Sequence, residues 1–177
     1  MVIPREDCGY FLKKLKMNSN LKLTTEEKYY IAGFLDGDGS IFVQIIKSEK
    51  LKYGFRIRVS VGFYQKKNKH WFILKLKKKI KYGYVRIRSD SISEYVITAS
   101  EPVRQILLTL KDCVVLKKKQ INLVLKIIEK KKKITSKEEF IKVCQLVDQV
   151  AELNYSKNKK VTSKNVAEFL NSQNNIL

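Results

Sequence analysis

Asp36-Gly37-Asp38-Gly39 puts two carboxylates and two small residues into one short stretch. Hydrolysis of a phosphodiester calls for a divalent cation that stabilises developing charge and activates water, and such a cation takes hard oxygen ligands from carboxylates and backbone carbonyls. Asp38, with the Gly37 carbonyl beside it, offers both kinds of oxygen. Alone the stretch is weak evidence, because Asp-Gly pairs are common in ordinary turns. A second set of residues points to the same anionic chemistry. Arg56 and Arg58, and again Arg86 and Arg88, stand at alternate positions of strand-like segments. Arginines so spaced on one sheet face can enter a DNA major groove, where each good bidentate pair with a base is worth about 1 to 3 kcal/mol of discrimination. The competing explanation, a solvated polar face, leaves the basic remainder of the chain unexplained.

The chain carries 37 Lys and Arg against 17 acids, a formal charge of +20 over 177 residues. Self-repulsion on that scale is relieved by an anionic partner. Nucleic acid fits best. An anionic membrane surface fits less well, since the basic residues follow a strand-like alternation and are not confined to one helix face. An AT-rich genome accounts for part of the lysine excess. With 44% hydrophobic residues the chain can bury one sizeable core and is short for two. The expectation is one domain over residues 23–172, an N-terminal extension over 1–22 that is disordered or a poorly packed helix around Tyr10 to Lys16, and a tail over 173–177. Stretches such as Ile121 to Ile128 are interrupted by Asn122 and Lys126 and are too short to span a bilayer, so a soluble protein without membrane contact is expected. Glu6 and Asp7 interrupt the N-terminal region, and no secretory or ordinary import signal is apparent. The three cysteines, Cys8, Cys113 and Cys144, are widely spaced and read as reduced thiols, with Cys144 in a helix core. His70 is the one histidine, so neither a histidine-based nuclease centre nor a catalytic triad can be assembled, and no nucleotide cofactor is expected.

The elements that must position these residues follow from periodicity and caps. Thr24 with Glu27 forms a capping box, and the helix it opens runs through Tyr30 to Leu35 and stops at the glycines, leaving Asp38 just beyond the helix on a tight turn. Ile41 to Lys47 reads as a strand. Tyr53 to Tyr64 is a longer one, with Phe55, Ile57, Val59, Val61 and Phe63 on the core face and Arg56, Arg58, Ser60 and Gly62 on the other. Asn68 is expected to cap a helix from Trp71 to Ile80, with Trp71 and Phe72 in the core. Tyr84 to Arg88 and Glu94 to Thr98 form a hairpin. Helices follow from Ser100 to Lys111, from Leu116 to Lys130, and from a second capping box at Ser136 and Glu139. Lys130 to Lys133 and Lys157 to Lys160 are charge runs that are either solvated or in contact with phosphate. The order is α-β-β-α-β-β and then helices, with no internal repeat.

Tyr30 to Ser40, with Ile31 to Gly39 as its nine-residue centre, resembles the signature of LAGLIDADG homing endonucleases. The resemblance extends over roughly 25–170, through Tyr64 to Phe72, Tyr84 to Arg88, Leu116 to Glu129 and Val147 to Asn154, and is closest to the homodimeric enzymes of green-algal chloroplast introns. It implies an α+β fold of the αββαββα type, with an antiparallel DNA-binding sheet and helices on its other face. One motif copy implies a homodimer, packed through Ala32 and Gly33 of each motif helix, on a roughly palindromic double-stranded DNA site that it cuts on both strands. By the same resemblance Asp38 is the essential metal ligand beside Gly37, for Mg2+ or Mn2+, and Gln65 and Lys117 organise water and charge around the scissile phosphates. Lys69 stands where those relatives carry an arginine, keeping the charge and losing the planar fork. Asp36 is chiefly structural. Gln44, Arg56, Arg58, Gly62, Arg86 and Arg88 face bases, while Lys119, Ser156, Lys157 and Lys160 hold phosphates. Phe42, Ile46 and Leu51, apolar on that face, suit thymine methyls. The hairpin is one residue longer after Arg88, so Glu94 and Val96 are not carried over as base contacts. An organelle, chloroplast or alternatively mitochondrion, is the implied compartment. An RNA maturase on the same fold, and a non-enzymatic basic RNA-binding protein, are the other readings. The joint presence of Asp38, Gln65 and Lys117 favours a nuclease, since RNA binding alone asks nothing of them.

Overall fold

Thr24 and Glu27 cap the first helix reciprocally. The Thr24 hydroxyl accepts from the Glu27 amide and the Glu27 carboxylate from the Thr24 amide, which fixes where α1 (Thr25–Asp38) begins. The computed structural model describes residues 21–154 and 161–172; the expected N-terminal extension, apart from Leu21 and Lys22, and the expected tail lie outside them. After α1 come β1 (Gly39–Lys47), β2 (Phe55–Lys66), a single 3-10 turn (Lys67–Lys69), α2 (His70–Ile80), β3 (Tyr84–Ile87) and β4 (Ile92–Thr98). Four helices follow: α3 (Ser100–Leu110), α4 (Lys118–Lys131), α5 (Lys137–Leu153) and α6 (Ser163–Ser172). The strands make one antiparallel sheet in the order β1-β2-β4-β3.

The alternation of β2 divides the molecule into layers. Ile41, Val43, Ile45, Phe55, Ile57, Val59, Val61, Phe63, Tyr95 and Ile97 are all buried on one sheet face, against which the helices lie. Each such side chain contributes about 1.5 to 3 kcal/mol by leaving water. Gln44, Arg56, Arg58 and Arg86 stand exposed on the other face. The α+β expectation and the helix-covered antiparallel sheet are therefore observed. Asn154 at the end of α5 donates from Nδ2 to the Ile41 carbonyl at 2.7 Å, tying that helix to β1. Cys144 is fully buried in α5, and burial pushes its thiol pKa up to about 12.

Three local expectations are corrected. The first helix does not stop at the glycines: Asp38 is its last residue, and Gly39, at φ −97° and ψ 167°, is already extended. A Cβ on Gly39 would stand 2.7 Å from the Leu35 Cα and carbonyl oxygen, so this glycine supplies room for strand and helix to meet and not a turn. Asn68 caps nothing, because it lies inside the 3-10 turn, and Lys69 precedes α2 without a side-chain cap. Trp71 is 61% exposed and not core, whereas Phe72 packs against the core with its ring edge-on to Phe34. The helical period gave α2 one apolar side; the structure splits it into a core stripe of Ile73, Leu76 and Ile80 and an outward pair, Trp71 and Leu74.

Gly83 carries the one turn on which β3 depends. Its φ of +77° is left-handed, and a Cβ there would collide with the Val96 carbonyl of β4. Gly83→Ala should lower the unfolding free energy by roughly 1 to 3 kcal/mol in a urea titration; an unchanged midpoint would mean that β3 is not held against Val96 at this point.

Candidate functional site

Asp38 closes α1 with its carboxylate exposed, at the end of a helix whose last carbonyls have no partner within the helix. Gly39 of β1 pairs with Phe63 of β2, so the next core-side position of β2, Gln65, comes beside Asp38. Gln65 Nε2 donates to Asp38 Oδ2 at 2.8 Å. Strand register thus brings together two residues 27 positions apart in the chain. An oxygen pair of this kind, one hard carboxylate with backbone carbonyls beside it, fits a divalent cation and leaves most of the coordination sphere to water and phosphate. Among the described residues no group of three or more His, Cys, Asp and Glu is placed to hold a metal ion.

Asp36, set aside as structural, anchors the third component. Its carboxylate accepts from the amides of Val115 at 2.6 Å, Leu116 at 3.1 Å and Lys117 at 3.0 Å, and Lys117 Nζ returns to the Asp36 carbonyl at 2.6 Å. Lys117 immediately precedes α4, so the carboxylate gathers the amides that lead into that helix and pins its entry to the end of α1. Lys117 is thereby bonded to the last turn of α1, at the residue two before Asp38. Lys69 is exposed at the end of the 3-10 turn, four residues from Gln65. His70 Nδ1 lies 2.7 Å from the hydroxyl of fully buried Ser93, so this histidine is tied into the sheet and not free at the surface.

On the open sheet face the register sets out rows of side chains. Gln44 pairs with Arg58, and Arg58 donates to Gln44 Oε1 at 2.6 Å. Tyr64, Glu94 and Arg86 form another row, with Arg86 Nε 2.5 Å from Glu94 Oε2. Glu94 is 6% exposed on this face, and its hydrogen bond to Arg86 is the main reason the guanidinium pKa is raised. The pair holds the fork in one orientation before anything binds. Arg88 lies just past β3 and donates to Asp90 Oδ2 at 2.8 Å. Arg56 makes no hydrogen bond or ion pair with a described residue. Phe42 and Ile46 are part-exposed beside Gln44 and, with it, border an open cleft of about 770 Å³ between β1 and the end of α5.

Two expected site residues are corrected. Gly62 is buried, because the Tyr64 phenol lies where a Cβ would project, so Tyr64 and not Gly62 presents the surface there. Burial, and then the Glu94 charge, raise the Tyr64 pKa. Ala32 is fully buried in this chain's own core, whereas Gly33 is exposed with nothing within 4 Å of a Cβ position. Lys119 is exposed on the first turn of α4, and Ser156, Lys157 and Lys160 lie outside the described residues. Sequence reasoning missed Tyr64, Glu94 and the amide cluster of Asp36. The first two required strand register, and the third a contact across 79 to 81 residues.

Residues 31–125 match the family model described as LAGLIDADG endonuclease. The chain is 42% identical over 154 residues to the DNA endonuclease I-CreI of Chlamydomonas reinhardtii, covering 86% of this chain and 94% of that one. It is 31% identical over 141 residues to the DNA endonuclease I-CvuI of Chlorella vulgaris, covering 80% and 88%. The fold superimposes on a crystal structure of I-CvuI in complex with its target in the presence of Ca with a TM-score of 0.80, at 30% identity over 84% of this chain and 95% of that one. An archaeal intron-encoded homing endonuclease complexed with DNA shares the fold, with a TM-score of 0.74 at 16% identity over 84% of this chain and 97% of that one.

If Asp36 gathers the three amides as described, Asp36→Asn, with one acceptor oxygen and no charge, should speed hydrogen exchange at Val115, Leu116 and Lys117 by about 10-fold or more, the equivalent of roughly 1.4 kcal/mol. Unchanged protection at these amides would show that the carboxylate does not hold them.

Proposed function

The chain belongs to the LAGLIDADG endonuclease family, and from that premise we propose that it is a homing endonuclease that, as a homodimer, makes a site-specific double-strand break in a long, roughly palindromic DNA site. The observation that carries this reading is the conjunction at the end of α1: exposed Asp38, Gln65 bonded to it, and Lys117 bonded to Asp36 in the same last turn. A structural helix end needs none of these three, and a module that only bound nucleic acid would have no use for them together.

A second copy completes the site. Tyr30, Gly33 and Gly37 lie on one exposed stripe of α1, at positions spaced by three and four residues. Val115 and Leu116, 80% and 74% exposed, stand at the end of that helix where Asp36 holds their amides, and Trp71 is open on neighbouring α2. Large apolar side chains gathered around a helix with two bare glycines suit close packing against an identical surface. Such packing places one Asp38 from each chain side by side, and each half-site of the DNA then lies along one sheet. Gln44, Arg58, Arg86 and Arg88 face the bases there; Tyr64 and Glu94 set the shape and orientation of what they present.

A divalent cation, Mg2+ or Mn2+, held by Asp38 and the Gly37 carbonyl would supply charge stabilisation at the phosphate and a more acidic water. Gln65 orients the Asp38 carboxylate by donating to Oδ2. Lys117 brings a positive charge to the phosphate that develops negative charge on cleavage. Lys69 adds a second, without the bidentate geometry an arginine would offer. The two green-algal relatives support residence in an organelle, a chloroplast or alternatively a mitochondrion.

Binding selection from a randomised duplex pool supplies a substrate on which this can be tested. Wild type with Mg2+ should cut both strands of the selected duplex, chelation should abolish cutting, and Asp38→Asn should bind within a few-fold of wild type while cutting at least about 10³-fold more slowly. Cutting by Asp38→Asn at the wild-type rate would remove Asp38 from the mechanism, and binding without any cutting by wild type would leave a nucleic-acid-binding protein. For the dimer, Gly33→Arg should give a folded monomer in sedimentation velocity at concentrations where wild type is dimeric. A dimer that persisted in the variant would place the interface elsewhere.

A further inference from the structure

The pairing of β2 with β4 runs from Ser60↔Thr98 to Lys66↔Ile92, so the first residues of β2, Phe55–Val59, extend past the end of β4. Lys131, the last residue of α4, reaches into the gap. Its Nζ donates to the Ile57 carbonyl at 2.8 Å and to the Ser100 hydroxyl at 3.3 Å. The side chain is half-buried, and no described carboxylate lies within ion-pair distance of it. The nearby acid Glu101 is turned to Arg104 and Lys132. Arg56 borders the same gap, without a hydrogen bond or ion pair to a described residue, and with Lys131, Arg58 and Ser100 it lines a cleft of about 240 Å³. Burial, and then the charge of Arg56, lower the pKa of Lys131.

This pair differs from the other arginines of the sheet. Arg58, Arg86 and Arg88 each have an internal acceptor, and two of them a carboxylate. Lys131 and Arg56 face one another's charge across this cleft with no described carboxylate paired to either. Holding a desolvated ammonium next to a guanidinium is costly unless an anion enters. Ala99, at the edge of the cleft, has φ +75° and ψ 144°, a conformation that also costs free energy for a residue with a side chain. The cleft opens on the arginine face, at the end of β1 and β2 away from Asp38, since Arg56 pairs with Ile46 whereas Gly39 pairs with Phe63.

We propose that this cleft is a built subsite for one DNA backbone phosphate in the outer part of each half-site, held by Lys131, Arg56 and the Ser100 hydroxyl. The proposal rests on the DNA-binding reading above, and it moves Arg56 from reading a base to fixing register. A cation on a helix end that is itself hydrogen-bonded to β2 couples the position of that phosphate to the sheet that reads the bases. Contacts of this kind add affinity at every sequence and carry no base preference.

The test is the salt dependence of binding to a random-sequence duplex, followed for wild type, Lys131→Met and Lys131→Arg well below the melting temperature of each. Lys131→Met keeps the stem and loses the charge, so its slope of log affinity against log salt should be shallower by about 0.9 than that of wild type, the signature of one phosphate. A fourfold rise in salt should then shrink the advantage of wild type about 3.5-fold. Lys131→Arg should keep the wild-type slope, and base preferences in a selected pool should be the same for all three. If Lys131→Met melted earlier but kept the wild-type slope, the lysine would serve only to hold the Ile57 carbonyl, and the subsite would be wrong while DNA binding stood. If wild type itself did not bind duplex DNA, the family reading and this subsite would both fall.

Discussion

The Asp36 carboxylate, with three amides from the segment before α4 converging on it, ties the last turn of α1 to a part of the chain some 80 residues away. α1 passes into β1 without a loop, so any residue held to its last turn is held to the sheet as well. Asp36 holds Lys117, and the β1–β2 register holds Gln65; both therefore share a frame with Asp38. The same clamp presents Val115 and Leu116 outward beside the exposed stripe of α1. In the proposed function, one interaction would thus set both the geometry of the site within a chain and the surface through which two chains bring their carboxylates together. It costs little to maintain, because a backbone amide outside regular structure needs an acceptor in any case.

Charge explains the rest of the architecture. At +20 the chain repels itself, and most of its lysines are solvated points with no defined geometry. The sheet is different. Arg58 and Arg86 are oriented by Gln44 and Glu94, which shortens the list of rotamers each must lose on binding. Glu94 is an acid in a basic surface, and its place there is to aim Arg86 and to bound what that guanidinium can recognise. Apolar Phe42 and Ile46 beside Gln44 extend the face with shape and not charge. Under the proposed function, specific readout and general attraction would in this way be carried by different residues.

Much of the fold could be read from the chain itself. Both capping boxes form where Thr24 and Ser136 stand, because caps are local, and β2 alternates as its apolar residues dictate. What failed depended on distant neighbours. Gly39 looks like a helix stop until the approach of Leu35 shows that it is there for space. Trp71 looks like core because one apolar stripe can serve a chain's own interior or a second chain equally well, and periodicity does not distinguish them. Ala32 and Gly33 are adjacent and both small, yet 100° of helical rotation puts one inside and leaves the other open. Tyr64 over Gly62, Glu94 beside Arg86 and Lys131 beyond the end of β4 all follow from register, which the order of elements does not specify. Asp38, Gln65 and Lys117, by contrast, came as a set only from the family resemblance; of the three, Asp38 and Gln65 meet directly, and Lys117 is bonded to Asp36.

Whether two copies of this chain cut DNA at a symmetric site decides the proposed function. Incubating the protein and Mg2+ with a fully randomised duplex library and sequencing the ends it produces tests this directly. The account predicts paired breaks on both strands within a single family of long sites whose two halves are related by inversion. Recovery of no cut ends, or of cuts with no inverted symmetry around them, would contradict it.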